Sequence, residues 1–354
     1  METNIDIRGL GPTEISEWLE SEGEKPFHGK QIFRWLHSVC VDDYSQMTDL
    51  SRSLQAKLAV AWPIHPLHMQ QELISRDGTR KYLWQLADGQ CIESVVMTHQ
   101  EASGHLRQTL CISTQVGCAM GCVFCATGLG GFKRNLTVAE IVGQVLDVTR
   151  QRQLTQPDFE IHNVVYMGMG EPLLNYEAVV KSIRLLNNPL GQQIGIRRIT
   201  VSTCGLPHQI RRLAKEGLDI VLAISLHSSE HGLRSQLMPV NRQYPLADVL
   251  AACREYVAET KRRLTFEYTL IQGVNTSAQQ AKDLAGLLKG IPCNVNLIPV
   301  NGGEHGFKRP SRTTQNLFRQ ILIDCGLEAV IREEKGADIA GACGQLAGQA
   351  QQGE

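Results

Sequence analysis

No stretch of about 18 apolar residues interrupts the 354-residue chain, so nothing in it reads as a membrane span. The opening, METNIDIRGLGPTEISEWLESEGEK, is acidic and polar and lacks the basic start and apolar run of an export signal. Without export the expected compartment is the reducing cytoplasm. There the eleven cysteines are core residues, metal ligands or catalysts, not a disulfide framework. A positive excess is missing too: the formal net charge is -1, which argues against a broad nucleic-acid-binding face. No internal repeat or low-complexity domain is present.

What the chain does hold is apolar material for a packed core, 42% of residues against 20% charged. Its length suits one large domain, or one domain with a smaller companion. The near-neutral balance conceals local basic clusters. In KPFHGKQIFRWLH, Lys25, Lys30 and Arg34 alternate with Phe27, Phe33 and Trp35. Aromatics among cations suit single-stranded RNA. The same residues equally suit an amphipathic helix that packs Ile32, Phe33 and Leu36 on a core. Arg197-Arg198, Arg211-Arg212, Lys261-Arg262-Arg263 and Lys308-Arg309 read as solvated surface.

Short helices are predicted over residues 1–65: one opening near Thr13, one over QIFRWLH, and one over DLSRSLQAKLAVA with Asp49 or Ser51 as cap. In YLWQLADGQCIESVVM, two strand-like runs flank Asp88-Gly89, a hairpin turn dipeptide. From about residue 107 strands and helices alternate. RQTLCIST, HNVVYMG, RRITVST, DIVLAISLH, LTFEYTLI and NVNLIPV are each followed by a helical pattern. That series predicts an α/β fold of parallel strands with right-handed crossovers, and a barrel or part-barrel fits better than an open sheet. Barrel chemistry sits where strands end. The expected organisation is an accessory helical and β module over 1–100 that contacts RNA, a core over 101–335, and a mobile tail over 336–354.

In GCAMGCVFCATG, Cys118, Cys122 and Cys125 form a C-x-x-x-C-x-x-C array. Three thiolates cover three irons of a four-iron, four-sulfur cluster and leave one iron open to a small molecule. The competing reading is zinc. A structural zinc site wants a second pair of ligands, and no second C-x-x-C accompanies this array; a catalytic zinc on three thiolates stays open. Read alone, Cys111 is a strand residue, Glu93 a strand residue facing solvent, His227 a core histidine, and MGMGE a turn. Cys343 stands in a tail with nothing apolar around it.

The cysteine array resembles that of the radical S-adenosylmethionine (SAM) superfamily. CISTQVGCAMGCVFCATG, GFKRNLT, MGMGEPLLN, AISLH, NLIPVN and ACGQLAG, with GEKPFHGKQIFRWLH and MTDLS near the start, resemble the RlmN/Cfr family of radical SAM methyltransferases of RNA adenine. That resemblance covers nearly the whole chain and implies a partial (β/α) barrel. It implies a [4Fe-4S] cluster on Cys118, Cys122 and Cys125, and SAM beside Gly170, Glu171, Ser202, Ser225, Leu226, His227 and Asn301. It further implies that Cys343 is methylated first, that Cys111 resolves the adduct, and that Glu93 accepts a proton. The implied reaction methylates carbon 2, in preference to carbon 8, of adenosine in 23S rRNA and also in tRNA, with two SAM consumed and a flavodoxin or ferredoxin as electron donor. The alternatives are a radical SAM enzyme with a protein or small-molecule acceptor, and an RNA-binding protein with a structural cluster. Two features depart from the family pattern: the sequence ends QAQQGE where a basic segment is usual, and NGGEHGFKRPSR replaces a Pro-rich loop.

Overall fold

The computed structural model describes residues 5–100, 104, 106–301 and 306–348. Its first elements are α1 (Pro12–Ser21), α2 (His28–His37) and α3 (Arg52–Ala61). Pro12 opens α1, where its missing N–H costs nothing. Ser51 caps α3 by accepting from the Leu54 N–H at 3.2 Å, whereas Asp49 accepts from Trp35 Nε1 at 2.6 Å. Ile32, Phe33 and Leu36 of α2 are buried, as the amphipathic-helix reading requires. Phe27 remains outside with Lys25 over its ring, so only part of the basic-aromatic stretch is surface.

Arg8 fastens this module to the next. Its guanidinium, 2% exposed, donates to Asp147 Oδ2 at 3.0 Å and to Asp6 Oδ2 at 2.8 Å. Asp147 lies on α5 (Val138–Gln153) and also accepts from the Leu67 N–H. A buried guanidinium is tolerated only with its partners in place.

β1 (His68–Ile74), β2 (Arg80–Gln85), β3 (Cys91–Gln100) and β4 (Leu106–Cys111) form an antiparallel meander. The Asp88-Gly89 turn joins β2 to β3, closed by the Leu86 N–H on the Gln90 carbonyl at 2.8 Å. β4 then pairs in parallel with β7 (Asn163–Tyr166). Beyond it, in parallel, come β8 (Ile199–Thr203), β9 (Val221–Ser225), β10 (Leu264–Leu270), β11 (Cys293–Pro299) and β12 (Glu328–Ile331). The ten strands make one sheet whose edges, β1 and β12, do not pair with each other: a part-barrel. Its connecting helices are α5, α6 (Tyr176–Asn187), α7 (Pro207–Ala214), α8 (His231–Leu237) with α9 (Leu246–Thr260), α10 (Ala278–Leu288) and α11 (Arg312–Asp324). Thr137 caps α5 in a reciprocal box with Glu140.

Both edges escape the sequence reading. HMQQELI of β1 is exposed or half-buried throughout, so it shows no alternation, and β12 is four residues long with only Ala329 buried.

The chain after β12 differs from the expected mobile tail: in this structure residues 336–348 are docked. The Gly336 N–H donates to Asp77 Oδ2 at 3.0 Å, and Asp338 accepts from Ser75 Oγ at 2.5 Å and from the Arg76 N–H at 3.2 Å. The segment therefore returns from one edge of the sheet to the β1–β2 turn at the other. A composition of Gly and Ala serves tight turns with donor N–H groups as readily as it serves looseness. The last residues of the expected tail, 349–354, lie outside the described residues.

Candidate active site

The cysteine array sits on a small side sheet. β5 (Gln115–Gly117) pairs antiparallel with β6 (Phe132–Asn135), and the loop between them carries all three cysteines and the single turn α4 (Ala126–Leu129). The hairpin is closed by the Cys118 N–H on the Gly131 carbonyl at 2.9 Å. Gly117 is obligatory here: it has φ +73°, and a Cβ on it would stand 1.8 Å from that carbonyl oxygen. Arg134 of β6 grips Asp88 of the β2–β3 turn at 2.7 Å and Glu140 at 2.8 Å, which orients the loop against the main sheet.

Cys118, Cys122 and Cys125 all line one cavity of about 230 Å³ at the strand ends. Among the described residues no three His, Cys, Asp or Glu side chains gather round one ion-sized point. A tetrahedral zinc would need donors about 2.3 Å from a common centre. Three thiols on the wall of one cavity match the three-thiolate anchorage of an iron–sulfur cube. Burial pushes the Cys118 thiol up to about 12 and raises that of Cys125. Thiolates there need the positive charge of a bound metal. The residues present thus fit a cluster.

The expected SAM residues converge on the same cavity, with one exception. Gly168 and Gly170 of MGMGE line it. Gly170 has φ +106°, and a Cβ there would stand 2.6 Å from the Gln115 side chain. Glu171, 1% exposed, accepts from the N–H of Leu173 at 3.0 Å and of Cys204 at 2.7 Å. Burial raises its carboxyl against those backbone bonds. Ser202, Ser225, His227 and Asn301 also line the cavity, whereas Leu226 is fully buried in the core and does not. The ends of strands alternate between faces, so a contiguous run cannot all face one way.

His227 adopts φ +59° and accepts from the Thr269 N–H on Nδ1 at 2.9 Å, so its neutral ring carries the proton on Nε2. Burial, then the Arg234 charge, lowers its pKa to about 3. Burial likewise lowers His37, stacked on Phe33 in the first module, to about 3. Unfolded, both titrate near 6.5. Between pH 6.5 and 3 the unfolded chain binds the extra protons, so this stability is complete above pH 6.5 and is lost as pH falls. We expect each ring to cost about 2 kcal/mol at pH 5 relative to pH 7.5. Urea midpoints should drop accordingly, and NMR should show both rings neutral at pH 5; a charged ring at that pH would disprove the assignment.

Cys111, at the end of β4, and Cys343, in the docked segment, face the cavity together. Burial pushes the Cys111 thiol up to about 12, and neighbouring Cys343, an exposed residue, contributes to that rise. The Arg332 guanidinium, another wall of the cavity, pulls the Cys111 thiol the other way. Asn301 Nδ2 donates to the Cys343 carbonyl at 3.0 Å, and the Ala126 N–H, just after Cys125, donates to the Gly344 carbonyl at 2.8 Å. Glu93 is not brought to this cavity: its carboxylate is paired with Lys81 at 2.9 Å.

Comparison with known proteins agrees with this geometry. Residues 5–64 match the N-terminal domain of the ribosomal RNA large subunit methyltransferases, and residues 112–285 match the radical SAM superfamily. A protein of Heliobacterium modesticaldum named "Probable dual-specificity RNA methyltransferase RlmN" is 50% identical over 350 residues, 99% of this chain and 91% of that protein. The chain belongs to the RlmN family. A relative of the same name from Thermotoga neapolitana is 48% identical over 96% of this chain and 97% of its own. The crystal structure of a radical SAM methyltransferase from Sphaerobacter thermophilus superposes with a TM-score of 0.92 at 45% identity, covering 98% of this chain and all of that one. Membership of the radical SAM superfamily brings a [4Fe-4S] cluster and SAM as the cofactors of RlmN proteins. No helix among the described residues is long and apolar enough to cross a membrane.

Several residues that shape this RlmN site are invisible to motif reading. Cys204, read from sequence as packing, lines the cavity beside Cys122, and its carbonyl accepts from Arg234. Phe124, inside the array, meets the His227 ring edge-on at 4.9 Å. Glu267 and Arg332 enter from β10 and from just past β12. A carboxylate within a strand buried throughout, as Glu267 is, was the one available signal.

Proposed function

We propose that this chain methylates a ring carbon of adenosine in RNA, carbon 2 in preference to carbon 8, with large-subunit rRNA as substrate and tRNA as a second one. The observation that carries the reading is the meeting of Cys111 and Cys343 in the cavity lined by Cys118, Cys122 and Cys125. The names of the relatives, dual-specificity RNA methyltransferases, support the substrate class.

Cys118, Cys122 and Cys125 would hold the cluster, and Gly170, Glu171, Ser202, Ser225, His227 and Asn301 would surround SAM. When bound, the cluster and SAM supply a methyl group and a one-electron route to a C–H bond. The chain's own residues do the rest. The Cys343 sulfur takes the methyl carbon and carries it to the base, an electrophilic ring carbon that a methyl cation cannot attack. This is covalent catalysis through a sulfur tether. The ring carbon must then give up its own hydrogen as a proton to a base, and its surplus electron; Cys111 attacks the Cys343 sulfur, the bond from that sulfur to the methylene carbon breaks, the carbon takes a proton to become the new methyl group, and a Cys111–Cys343 disulfide remains. Burial holds the Cys111 thiol protonated, so it must lose its proton as it reacts, and Arg332 eases that loss. An external reductase supplies electrons and resets the disulfide. The exposed Lys25, Phe27, Lys30 and Arg34 offer the first module's RNA contact.

Anaerobically reconstituted protein given SAM and unmodified rRNA or tRNA transcripts tests this. Nucleoside mass spectrometry should show new methyladenosine, with its retention distinguishing carbon 2 from carbon 8. Cleavage of SAM without methyl transfer to either RNA would refute the substrate.

A further inference from the structure

Glu93 presents a contradiction: a buried carboxylate close to the reacting thiols that does not reach them. It lies on β3, 1% exposed, two residues from Val95, which lines the cavity opposite Cys111. Side chains two apart share a face, so Glu93 points to the cavity side of the sheet. Its acceptor capacity is already taken. Oε1 receives Lys81 Nζ at 2.9 Å, and Oε2 receives the N–H groups of Ala347 at 2.6 Å and Gly348 at 2.9 Å. Lys81, 4% exposed on β2, also donates to the Ala340 carbonyl at 3.3 Å. One buried ion pair therefore touches the C-terminal segment on both sides of Cys343. Between those two points the loop is steadied by Asn301 on Cys343, Ala126 on Gly344, and Thr127 Oγ1 on the Leu346 carbonyl at 2.5 Å.

We propose that Glu93 and Lys81 form a clasp that seats residues 340–348 and so positions Cys343 against Cys111. An isolated buried ion pair is a poor source of stability, because desolvation offsets its attraction. Its value lies in geometry: charge-assisted bonds to backbone groups are short and directional. Glu93 is thus a positioning residue in this state. Opening the clasp frees the carboxylate and the loop together, so Cys343 leaves its seat only when Lys81 and Glu93 give up the tail. The consequence for turnover rests on the reading of Cys343 given above; the docking itself does not.

Hydrogen exchange followed by mass spectrometry on the whole chain tests the clasp, comparing wild type with Glu93→Gln, Glu93→Ala and Lys81→Met. Amides in 341–348 should exchange about tenfold faster, or more, in Glu93→Ala and Lys81→Met, since charge-assisted bonds are lost. Glu93→Gln, which keeps an acceptor oxygen, should fall between. Amides of β2 and β3 serve as the folding control. If Glu93→Ala loses that protection too, Lys81→Met and Glu93→Gln decide. Unchanged tail protection in correctly folded variants overturns the proposal. Turnover then separates positioning from proton acceptance. The clasp predicts that Glu93→Gln and Lys81→Met lower kcat in step with tail exchange. Abolished turnover in Glu93→Gln alone, with the tail still protected, marks Glu93 as a proton acceptor and overturns the clasp. If wild type itself methylates no RNA, the functional reading fails while the exchange result still stands.

Discussion

Alanine at any one of Cys118, Cys122 or Cys125 is expected to reduce bound iron from about four to fewer than one per chain, with methyl transfer lost below detection. A cube that leaves one iron open already rests on only three protein bonds. Removing one leaves a second iron without a thiolate in a cavity of this size, open to hydrolysis and loss. The loop adds to the sensitivity. Its hairpin closes on Gly117 and Gly131, and the Ala126 N–H, next to Cys125, holds the Gly344 carbonyl of the segment that carries Cys343. A disturbed Cys125 should therefore also loosen Cys343. Cys204→Ala is the informative control. That thiol lies beside Cys122 but outside the array, and its backbone N–H and carbonyl bond Glu171 and Arg234. It should keep its iron, because Cys204 is not one of the three array thiols. Metal analysis and the visible spectrum of anaerobically purified protein provide the readout. Full iron in any of the three array variants, or zinc in the wild type, would remove the basis of the cluster assignment.

The array was legible in the sequence because chemistry constrains it locally: three thiols within eight residues have few other uses. Strand ends were legible for a similar reason, since β7 to β11 are apolar enough to announce themselves and MGMGE, STCG and PVN follow directly. What stayed hidden is what depends on distant backbone. Glu93 holds the N–H groups of Ala347 and Gly348, and no side-chain pattern marks an amide as a ligand. Lys81 sits in β2 opposite Val95 and looks like any strand lysine until the fold brings Ala340 to it. Between Ser225 and His227, which line the cavity, the Leu226 side chain turns into the core. The seat of residues 336–348 could not be read from composition, which reports what a segment can do but not what it finds to bond.

Two single substitutions at the thiol pair should stop the reaction at different points, and the difference is the strongest test of the proposed chemistry. Cys343→Ala removes the sulfur that takes the methyl carbon, so no methyl should appear on protein or RNA and no covalent complex should form. Cys111→Ala leaves that sulfur in place in the cavity, still held by Asn301 and Ala126. The first steps should proceed. The Cys343 sulfur, once joined through its methylene to the base, then has no thiol to release it. The expected product is a stable protein–RNA adduct, up to one per chain, that survives denaturation and yields a base-modified peptide containing Cys343 after digestion. Turnover falls to nothing in both variants, so activity alone cannot separate them; a denaturing gel and peptide mass spectrometry can. The neighbouring charges favour this order of events, because burial leaves Cys111 protonated near pKa 12 and the charge of Cys343 adds to that rise. Once the Cys343 sulfur is alkylated it can carry no thiolate charge, and Arg332 remains to favour the Cys111 thiolate. An adduct formed equally by wild type and Cys111→Ala, or by Cys343→Ala, would show that the two sulfurs do not divide the work in this way.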